Sequence, residues 1–263
     1  MVQLCKIVFI GSGRLATQLA CALHAVGYSI LQVYSRTEAS AKELSDKLDC
    51  GYTTQANCIS DQGDLYICAL KDSVITEVLD QARKNLKGKV LVHTAGSLPM
   101  SLLEKYTARC GVIYPMQTFS KEKTVDFTKV PFLLEGADDE VYRMLKETVS
   151  SLSQKLYQVS SEDRKKIHLA AVFACNFANH SYALAGELLK KCGVPFDVLL
   201  PLIDETTEKV HTMEPVKAQS GPAVRYDQNV MEMHKMMLQD QPMMQQIYEL
   251  MSLSIHQLAE RQN

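Results

Sequence analysis

A glycine-containing segment near the start of the chain has the residue types and the spacing of a phosphate-binding turn. An apolar run at residues 7–10 leads directly into Gly11, Ser12, Gly13, Arg14, Leu15 and Ala16. Gly11 permits a tight turn and Gly13 lets backbone N–H groups approach a pyrophosphate, while Ala16 allows a helix to pack closely on the strand. A helix that begins here presents unpaired N–H donors and the positive end of its dipole to the anion. We therefore predict that residues 11–15 contact a dinucleotide.

The end of the second predicted strand indicates which dinucleotide binds. A site that prefers NAD usually has Asp or Glu at this point to accept hydrogen bonds from the ribose hydroxyls, but the segment reads Val33, Tyr34, Ser35, Arg36, Thr37. Ser35 and Thr37 can donate to a 2′-phosphate, and the Arg36 guanidinium can pair with it. The alternative is that Arg36 is an ordinary surface residue at the start of a loop. We predict NADP as the cofactor, with contacts from Ser35 and Arg36.

Two more strand ends are candidates for contacts with the nicotinamide half of the cofactor. Leu70 and Lys71 follow one apolar run, and Thr94 and Ala95 follow the next. In open α/β sheets, ligands bind outside the carboxyl ends of the strands, so we expect these four residues to border the cofactor. For Lys71, a solvated loop lysine is an equally good interpretation.

A segment in the second half of the chain places polar side chains on an apolar helix. Within the alanine-rich stretch 164–189, His168, Cys175 and Asn179 recur at helical spacing, which puts them on nearly one line, with Asn176 beside it. Polar groups on a buried apolar face need partners, and a cofactor cleft would provide them. His168, Asn176 and Asn179 are therefore candidate catalytic residues. Alternatively, His168 is a satisfied core histidine and the asparagines bond to neighbouring helices.

The elements that must position these residues follow from the apolar periodicity. Apolar runs alternate with helical stretches, which predicts strands at 7–10, 30–34, 64–70, 89–96, 112–114, 132–135 and 156–159, and helices at 15–26, 38–48 and 74–85. Strands that are apolar on both faces and separated by helices indicate parallel β-α-β units with right-handed crossovers. The predicted fold class is therefore α/β, with a doubly wound parallel sheet of the Rossmann type.

Beyond Ser160 the pattern changes to long helices. They are predicted at 161–192, 196–212, 227–238 and 242–261. We place a domain boundary here, between a Rossmann domain that binds NADP (1–160) and an all-α domain for substrate binding and dimerisation (161–263). The methionines between 231 and 251 follow helical periodicity, which favours packing in a core or in the interface of a homodimer over a metal site.

Composition excludes several classes of protein. A chain of 263 residues suits two domains of the usual size of about 100–200 residues. The net charge is −2 and basic residues form no long block, which argues against a nucleic-acid partner; the short run 164–166 is interpreted as a solvated helix face. The eight cysteines are scattered without zinc-ligand spacing, and no run approaches the roughly 20 apolar residues of a membrane span. We expect free thiols, no metal, no membrane partner, no cleavable signal and a cytoplasmic location.

Several motifs together resemble a known family. They are, in order, IVFIGSGRLATQLA, VHTAGS, YPMQTF, IHLAAVFACN and SGPAVRYD. The chain is similar to NADP oxidoreductases that combine a Rossmann-like N-terminal domain with an uncharacterised helical domain. That helical domain is similar to the C-terminal halves of 6-phosphogluconate dehydrogenase-like enzymes and, more distantly, of pyrroline-5-carboxylate reductases.

The resemblance implies roles for individual residues. It implies that the cofactor is contacted by Gly11, Gly13, Ser35 and Arg36. It also implies that Thr94 and Pro115 line the wall of the cleft. The helix motif matches at His168 and Asn176, and the later segment at Gly221, Pro222, Arg225, Asp227 and His234. The chain departs from the pattern of its relatives at three positions. Tyr114 stands in place of the family's usual histidine, and Tyr226 in place of its usual glycine. Val172 stands where related hydroxyacid dehydrogenases have the lysine that transfers the proton.

These observations predict an NADP(H)-dependent oxidoreductase that transfers hydride to or from a small carbonyl or imine substrate. His168 is the expected proton donor, because imidazole exchanges protons near neutral pH. Asn176 or Asn179 would orient the substrate, and Arg225 could clamp a carboxylate. The alternative is a non-catalytic NADP-binding or redox-sensing protein. Binding of S-adenosylmethionine is disfavoured, because Arg36 would then lack a phosphate.

Overall fold

The computed structural model describes residues 5–120 and 124–261. Its contacts divide the chain into two compact units that meet in sequence between Val172 and Phe173. In the described part of the chain, no helix is both long and apolar enough to span a bilayer.

The first unit is an eight-stranded sheet with helices. Its strands are β1 (Lys6–Ile10), β2 (Ser29–Tyr34), β3 (Gly51–Thr53), β4 (Leu65–Cys68), β5 (Val90–His93), β6 (Cys110–Pro115), β7 (Phe132–Gly136) and β8 (Leu156–Gln158). Its helices are α1 (Arg14–Ala25), α2 (Glu38–Leu48), α3 (Ile75–Leu86), α4 (Asp139–Ser150) and α5 (Ser161–Ala171). The strand order is β3-β2-β1-β4-β5-β6-β7-β8. The first six strands have the order of a Rossmann sheet, which confirms the predicted fold class.

One strand pair departs from the predicted parallel sheet. Strands β1 to β6 pair in parallel, whereas β7 runs antiparallel to β6, with Gly111 opposite Gly136 and Pro115 opposite Phe132. A parallel connection needs a crossover that carries the chain back along the sheet, usually a helix. The segment between β6 and β7 contains no α-helix within its described residues, so β7 returns along its neighbour.

The core lies on both faces of the sheet. In β1, Ile7 and Phe9 face the cluster that contains the buried residues of α1, whereas Val8 and Ile10 face the cluster that contains those of α3. The side chains of all four are fully buried. A strand covered by helices on both faces reads as a continuous apolar run, and for this reason β1 could be predicted from sequence.

Two elements of the first unit were not predicted. Strand β3 is an edge strand whose Gly51 and Tyr52 are exposed, so it lacks an apolar pattern. Helix α4 does carry sequence signals: the Asp138 side chain caps it by accepting from Val141 N, and Val141 and Leu145 begin its buried face. An N-cap aspartate followed by this periodicity would have been sufficient to predict α4.

The second unit is helical, as predicted. After α5, a π-helical turn (Val172–Phe177) leads into α6 (Ala178–Cys192), followed by α7 (Leu200–Thr212), α8 (Pro215–Ala218), α9 (Gln228–Met237) and α10 (Pro242–Glu260). The predicted line of His168, Cys175 and Asn179 assumed a regular helix. That assumption is wrong, because a π-helical turn has a different period and shifts the residues that follow it around the helix axis.

The contacts divide the chain one helix later than the predicted boundary at Ser160. Helix α5 belongs to the first unit because Arg164, whose side chain is 0% exposed, pairs with Glu135 of β7. The Arg164 guanidinium also donates to the carbonyl of Leu98. The interpretation of residues 164–166 as a solvated face is therefore wrong for Arg164, although Lys165 and Lys166 are exposed.

Candidate active site at the carboxyl edge of the sheet

The turn after β1 has a backbone that requires glycine at its first position. Gly11 has φ +123°, and a Cβ added there would lie 2.5 Å from the carbonyl oxygen of Ala69. Its N–H donates to the Tyr34 carbonyl at 2.8 Å, which joins the turn to the end of β2. This geometry brings the ends of β1, β2 and β4 together.

The start of α1 is suited to an anion. Gly13 is the N-cap residue, it makes no side-chain capping bond, and the first turn contains no acidic residue. A Cβ at Gly13 would meet nothing within 4 Å, so a ligand can approach the backbone there. Arg14 is exposed, and Leu15 is half-buried against the core. The helix N-terminus therefore presents donors and positive potential, as a pyrophosphate requires.

The end of β2 supplies the groups that fit a 2′-phosphate. The Ser12 hydroxyl donates to the Ser35 hydroxyl at 2.7 Å, which links the glycine turn to β2. A hydroxyl that accepts in this way keeps its own hydrogen to donate. Arg36 is exposed beside it. The following carboxylate, Glu38, accepts a hydrogen bond from the Tyr52 hydroxyl at 3.2 Å. The hydroxyl and guanidinium donors fit a phosphate better than they fit a free ribose diol.

The turns after β4 and β5 lie at the same edge. Thr94 N donates to the Cys68 carbonyl at 3.2 Å, and the Ser97 hydroxyl donates to the carboxylate of Asp72. Among the four residues predicted here, Thr94 is buried, Leu70 and Ala95 are half-buried, and Lys71 is exposed. These bonds hold the two turns together. The exposure of Lys71 fits both interpretations of that residue.

His93, at the end of β5, organises the turn that follows it, although sequence reasoning did not single it out. Its ring is fully buried. Nδ1 accepts from Ala95 N at 3.1 Å, and Nε2 lies 3.4 Å from the carbonyl oxygen of Pro99. Because a backbone N–H can only donate, Nε2 must carry the ring hydrogen and donate to that carbonyl. Burial, and next the charge of Arg164, lower the pKa of His93 from 6.5 to about 4, so the ring is neutral.

His168 lies beside the ends of β5 and β6. Its Nδ1 is 3.0 Å from the hydroxyl oxygen of Tyr114, and the two rings meet edge-on with centroids 5.9 Å apart. A Cβ added to Gly96 would lie 2.7 Å from Cγ and Nδ1 of this ring. His168 is half-buried rather than part of the core. The structure thus places it with Tyr114 at the carboxyl edge, where the cofactor turns also lie.

Helix α5 is fixed in this position by polar contacts with the sheet. Ser161 N and the Ser161 hydroxyl both donate to the carboxylate of Glu135, at 2.9 and 2.7 Å. Met100 N donates to the Ser161 hydroxyl at 2.9 Å, and Arg164 adds its bonds to Glu135 and Leu98. These contacts bind the first turn of α5 to the segment after β5 and so define where His168 lies.

The remaining predicted residues lie in the second unit. Asn176 is exposed in the π-helical turn, Asn179 is exposed near the start of α6, and Arg225 is exposed. Arg225 precedes Tyr226, which has φ +52° and stacks on His256 with ring centroids 4.2 Å apart. Their functional roles stay predictions.

Two other residues that the family resemblance implicated make bonds within that unit. Asp227 caps α9 by accepting from Val230 N, and His234 Nδ1 lies 3.0 Å from the Tyr248 hydroxyl oxygen. Within the described ranges, no group of three or more His, Cys, Asp or Glu side chains could hold a metal ion.

Comparison with known proteins assigns the chain to a family. A solved structure from Bacteroides fragilis, provisionally named an NADP oxidoreductase, is 52% identical and covers 97% of this chain and 98% of its own, with a TM-score of 0.91. The chain belongs to this family of NADP oxidoreductases. Residues 6–96 match the family described as NADP oxidoreductase coenzyme F420-dependent, and residues 130–255 match a domain of unknown function (DUF2520). NADP is the cofactor of the family, as the residues at the end of β2 predicted.

More distant structures show the shared fold. An imine reductase from Myxococcus stipitatus, solved with NADP⁺, is 17% identical over 97% of this chain and 94% of its own, with a TM-score of 0.68. A pyrroline carboxylate reductase from Plasmodium falciparum, solved with NADP, is 14% identical over 97% of this chain and 99% of its own, with a TM-score of 0.60. No curated protein matched the chain.

Proposed function

We propose that this member of the family transfers hydride between NADP(H) and a small carbonyl or imine substrate, with His168 as the proton donor. The observation that carries the proposal is the position of His168. Its ring is hydrogen-bonded to Tyr114 at the end of β6, on the sheet edge where the β1 turn and the end of β2 supply phosphate-binding groups. A group that can exchange a proton thus shares one edge with the residues that fit the cofactor.

The order of the strands supports one arrangement of the cofactor along the sheet edge. Ser35 and Arg36, after β2, would hold the 2′-phosphate, and the backbone from Gly11 to Leu15, after β1, would hold the pyrophosphate. The turns after β4 and β5 would border the nicotinamide half through Leu70, Lys71, Thr94 and Ala95. When bound, the dinucleotide supplies or accepts the hydride.

The protein must then manage the proton and the orientation of the substrate. Hydride addition to a carbonyl or imine carbon leaves negative charge on oxygen or nitrogen, and a proton from His168 neutralises it. For the substrate we propose Arg225, whose fork of donors would match a carboxylate, and Asn176 or Asn179, whose amide would bond to the reacting oxygen or nitrogen. A small carboxylated ketone or cyclic imine is therefore the class to test first.

The test is NADPH oxidation with a panel of small 2-oxo acids and cyclic imines, comparing the wild-type protein with His168→Ala. Loss of a general acid should lower turnover about 100-fold or more, while NADPH binding, measured by nicotinamide fluorescence, persists. The matched control is His24→Ala, which alters an exposed histidine in the last turn of α1. Unchanged turnover in His168→Ala would remove His168 from the mechanism. NADPH binding without turnover of any probe would favour the alternative of a non-catalytic redox sensor.

We also propose a homodimer that forms through the helical unit. Large apolar side chains on its helices are widely exposed: Leu202 is 63%, Met236 63%, Met237 70%, Met243 70% and Leu250 68% exposed. Exposed apolar surface of this extent is typical of an interface. Light scattering after size exclusion should therefore give twice the chain mass, and a monomer at micromolar concentration would contradict the proposal.

We propose a cytoplasmic location as well. The eight cysteines are free thiols, as is usual for proteins of a reducing compartment.

A further inference from the structure

The ring of His168 has two nitrogens, and the structure distinguishes them. Nδ1 is 3.0 Å from the Tyr114 hydroxyl oxygen, so this nitrogen is already engaged by the protein. On the same side the ring packs directly against Gly96, where a Cβ would lie only 2.7 Å from Nδ1 and would force the ring to move. In a histidine that exchanges protons, the bond made by one nitrogen determines what the other can do.

We propose that Tyr114 is a positioning residue for the reaction. Its phenol oxygen accepts the Nδ1–H of His168 and leaves Nε2 as the atom that gives the proton to the substrate. The inference rests on the proposed function, in which His168 handles the proton.

The proton balance decides the direction of the Tyr114–His168 bond. In the reductive direction, protonated His168 carries hydrogens on both nitrogens. The Nε2–H bond breaks as the new O–H or N–H bond of the product forms, while the substrate carbon accepts the hydride. The remaining neutral ring keeps its Nδ1–H on the Tyr114 oxygen. If Tyr114 instead donated to Nδ1, loss of the Nε2 proton would leave an imidazolate or, if the phenol proton moved to Nδ1, a tyrosinate, and both anions are unfavourable near neutral pH. The tyrosine must therefore accept.

Both partners lie on elements that hold them in place. Tyr114 is in the middle of a sheet, where it pairs across β6 and β7 with Leu133, and it is half-buried. His168 is on α5, whose first turn is bound to the sheet through Glu135 and Arg164. Each partner thus has a fixed backbone within the first unit, as a positioning contact requires.

The first measurement does not depend on turnover. Protein labelled with ¹⁵N-histidine, with His168 assigned from His168→Ala, should show the Nδ1–H tautomer in the neutral wild-type ring. Tyr114→Phe keeps the aromatic ring and removes only the oxygen, so it should abolish this bias toward Nδ1–H. Tyr157→Phe, at a side chain 53% exposed on β8, is the matched control and should leave the tautomer unchanged. An Nε2–H tautomer in the wild type, or the same tautomer in Tyr114→Phe, would overturn the proposal.

The second measurement is a double-mutant cycle on NADPH oxidation with the same probes. Tyr114→Phe should lower kcat about tenfold, the effect of one lost hydrogen bond, with KM for NADPH unchanged. In the His168→Ala background the same substitution should have no further effect, because Tyr114 acts through His168. An equal loss in both backgrounds, or no loss in either, would contradict a positioning role. If the wild type reduces none of the probes, the proposed function fails, and the tautomer measurement alone decides the role of Tyr114.

Discussion

Lowering the pH below neutrality is expected to destabilise the first unit through His93. In the folded protein this ring is fully buried, and Nδ1 accepts a hydrogen bond from Ala95 N. Protonation of Nδ1 would make its N–H face the N–H of Ala95, with loss of their hydrogen bond, and would place a second positive charge near Arg164. Glu135 and Asp72 oppose this effect, but burial dominates, and the pKa of His93 falls from 6.5 to about 4.

The size of the effect follows from the two pKa values. An unfolded histidine keeps its ordinary pKa of 6.5, so between pH 6.5 and 4 the unfolded chain binds more protons than the folded one. The stabilising contribution is therefore fully present above pH 6.5 and is lost as the pH falls. At about 1.4 kcal/mol per pKa unit, the free energy of unfolding should drop by about 2 kcal/mol between pH 7 and pH 5 and by about 3 kcal/mol in total.

The assay is urea unfolding at pH 7, 6 and 5, followed by tyrosine fluorescence. The chain has no tryptophan, and most of its tyrosines lie before Val172, so the signal reports mainly on the first unit. The comparison is with His93→Asn, whose side-chain oxygen can accept from Ala95 N but cannot be protonated in this range. Other titrating groups contribute equally to both proteins and cancel. An identical pH slope in the two proteins would refute the assignment of a neutral, buried His93.

Three further predictions concern the cofactor turn and the anchor of α5. Arg36→Gln should weaken NADPH binding about 10- to 100-fold, the value of a hydrogen bond to a charged group, and leave NADH binding unchanged; an equal loss for NADH would contradict a contact with the 2′-phosphate. Gly11→Ala should lower the free energy of unfolding by at least about 2 kcal/mol, because of its positive φ and the backbone oxygen 2.5 Å from the new Cβ. Gly13→Ala, where space is open, is its control and should have little effect on stability. Arg164→Leu should lower the free energy of unfolding, measured in urea, by about 3–5 kcal/mol, because the Glu135 carboxylate loses its cationic partner. A second substitution, Glu135→Leu, should restore part of that loss.

Most elements of the sheet could be predicted because burial on two faces leaves a direct trace in the sequence. The runs at 7–10 in β1, 65–68 in β4 and 90–92 in β5 are apolar, and every residue in them is buried. Strand β3 left no such trace, since its position at the sheet edge exposes it to solvent. Periodicity also misjudged the helix around Cys175, because an α-helical pattern does not indicate where a π-helical turn interrupts it.

The contacts within the candidate site could be predicted only where they are local in the chain. Gly11 and Gly13 stand within one turn, and Ser35 and Arg36 follow one strand, so spacing was informative. Tyr114 and His168 are 54 residues apart, and only the packing of α5 on the sheet brings them together.

The sequence by itself determined the Rossmann-type sheet, the glycine turn and the preference for NADP, because these depend on residues that are neighbours in the chain. Only the tertiary structure decided that Tyr114 bonds to His168, that His93 is neutral and that Arg164 is buried. Hydrogen bonds, burial and charge at those residues come from strands and helices that fold together from distant parts of the chain. Their chemistry is therefore a property of the folded unit rather than of any segment.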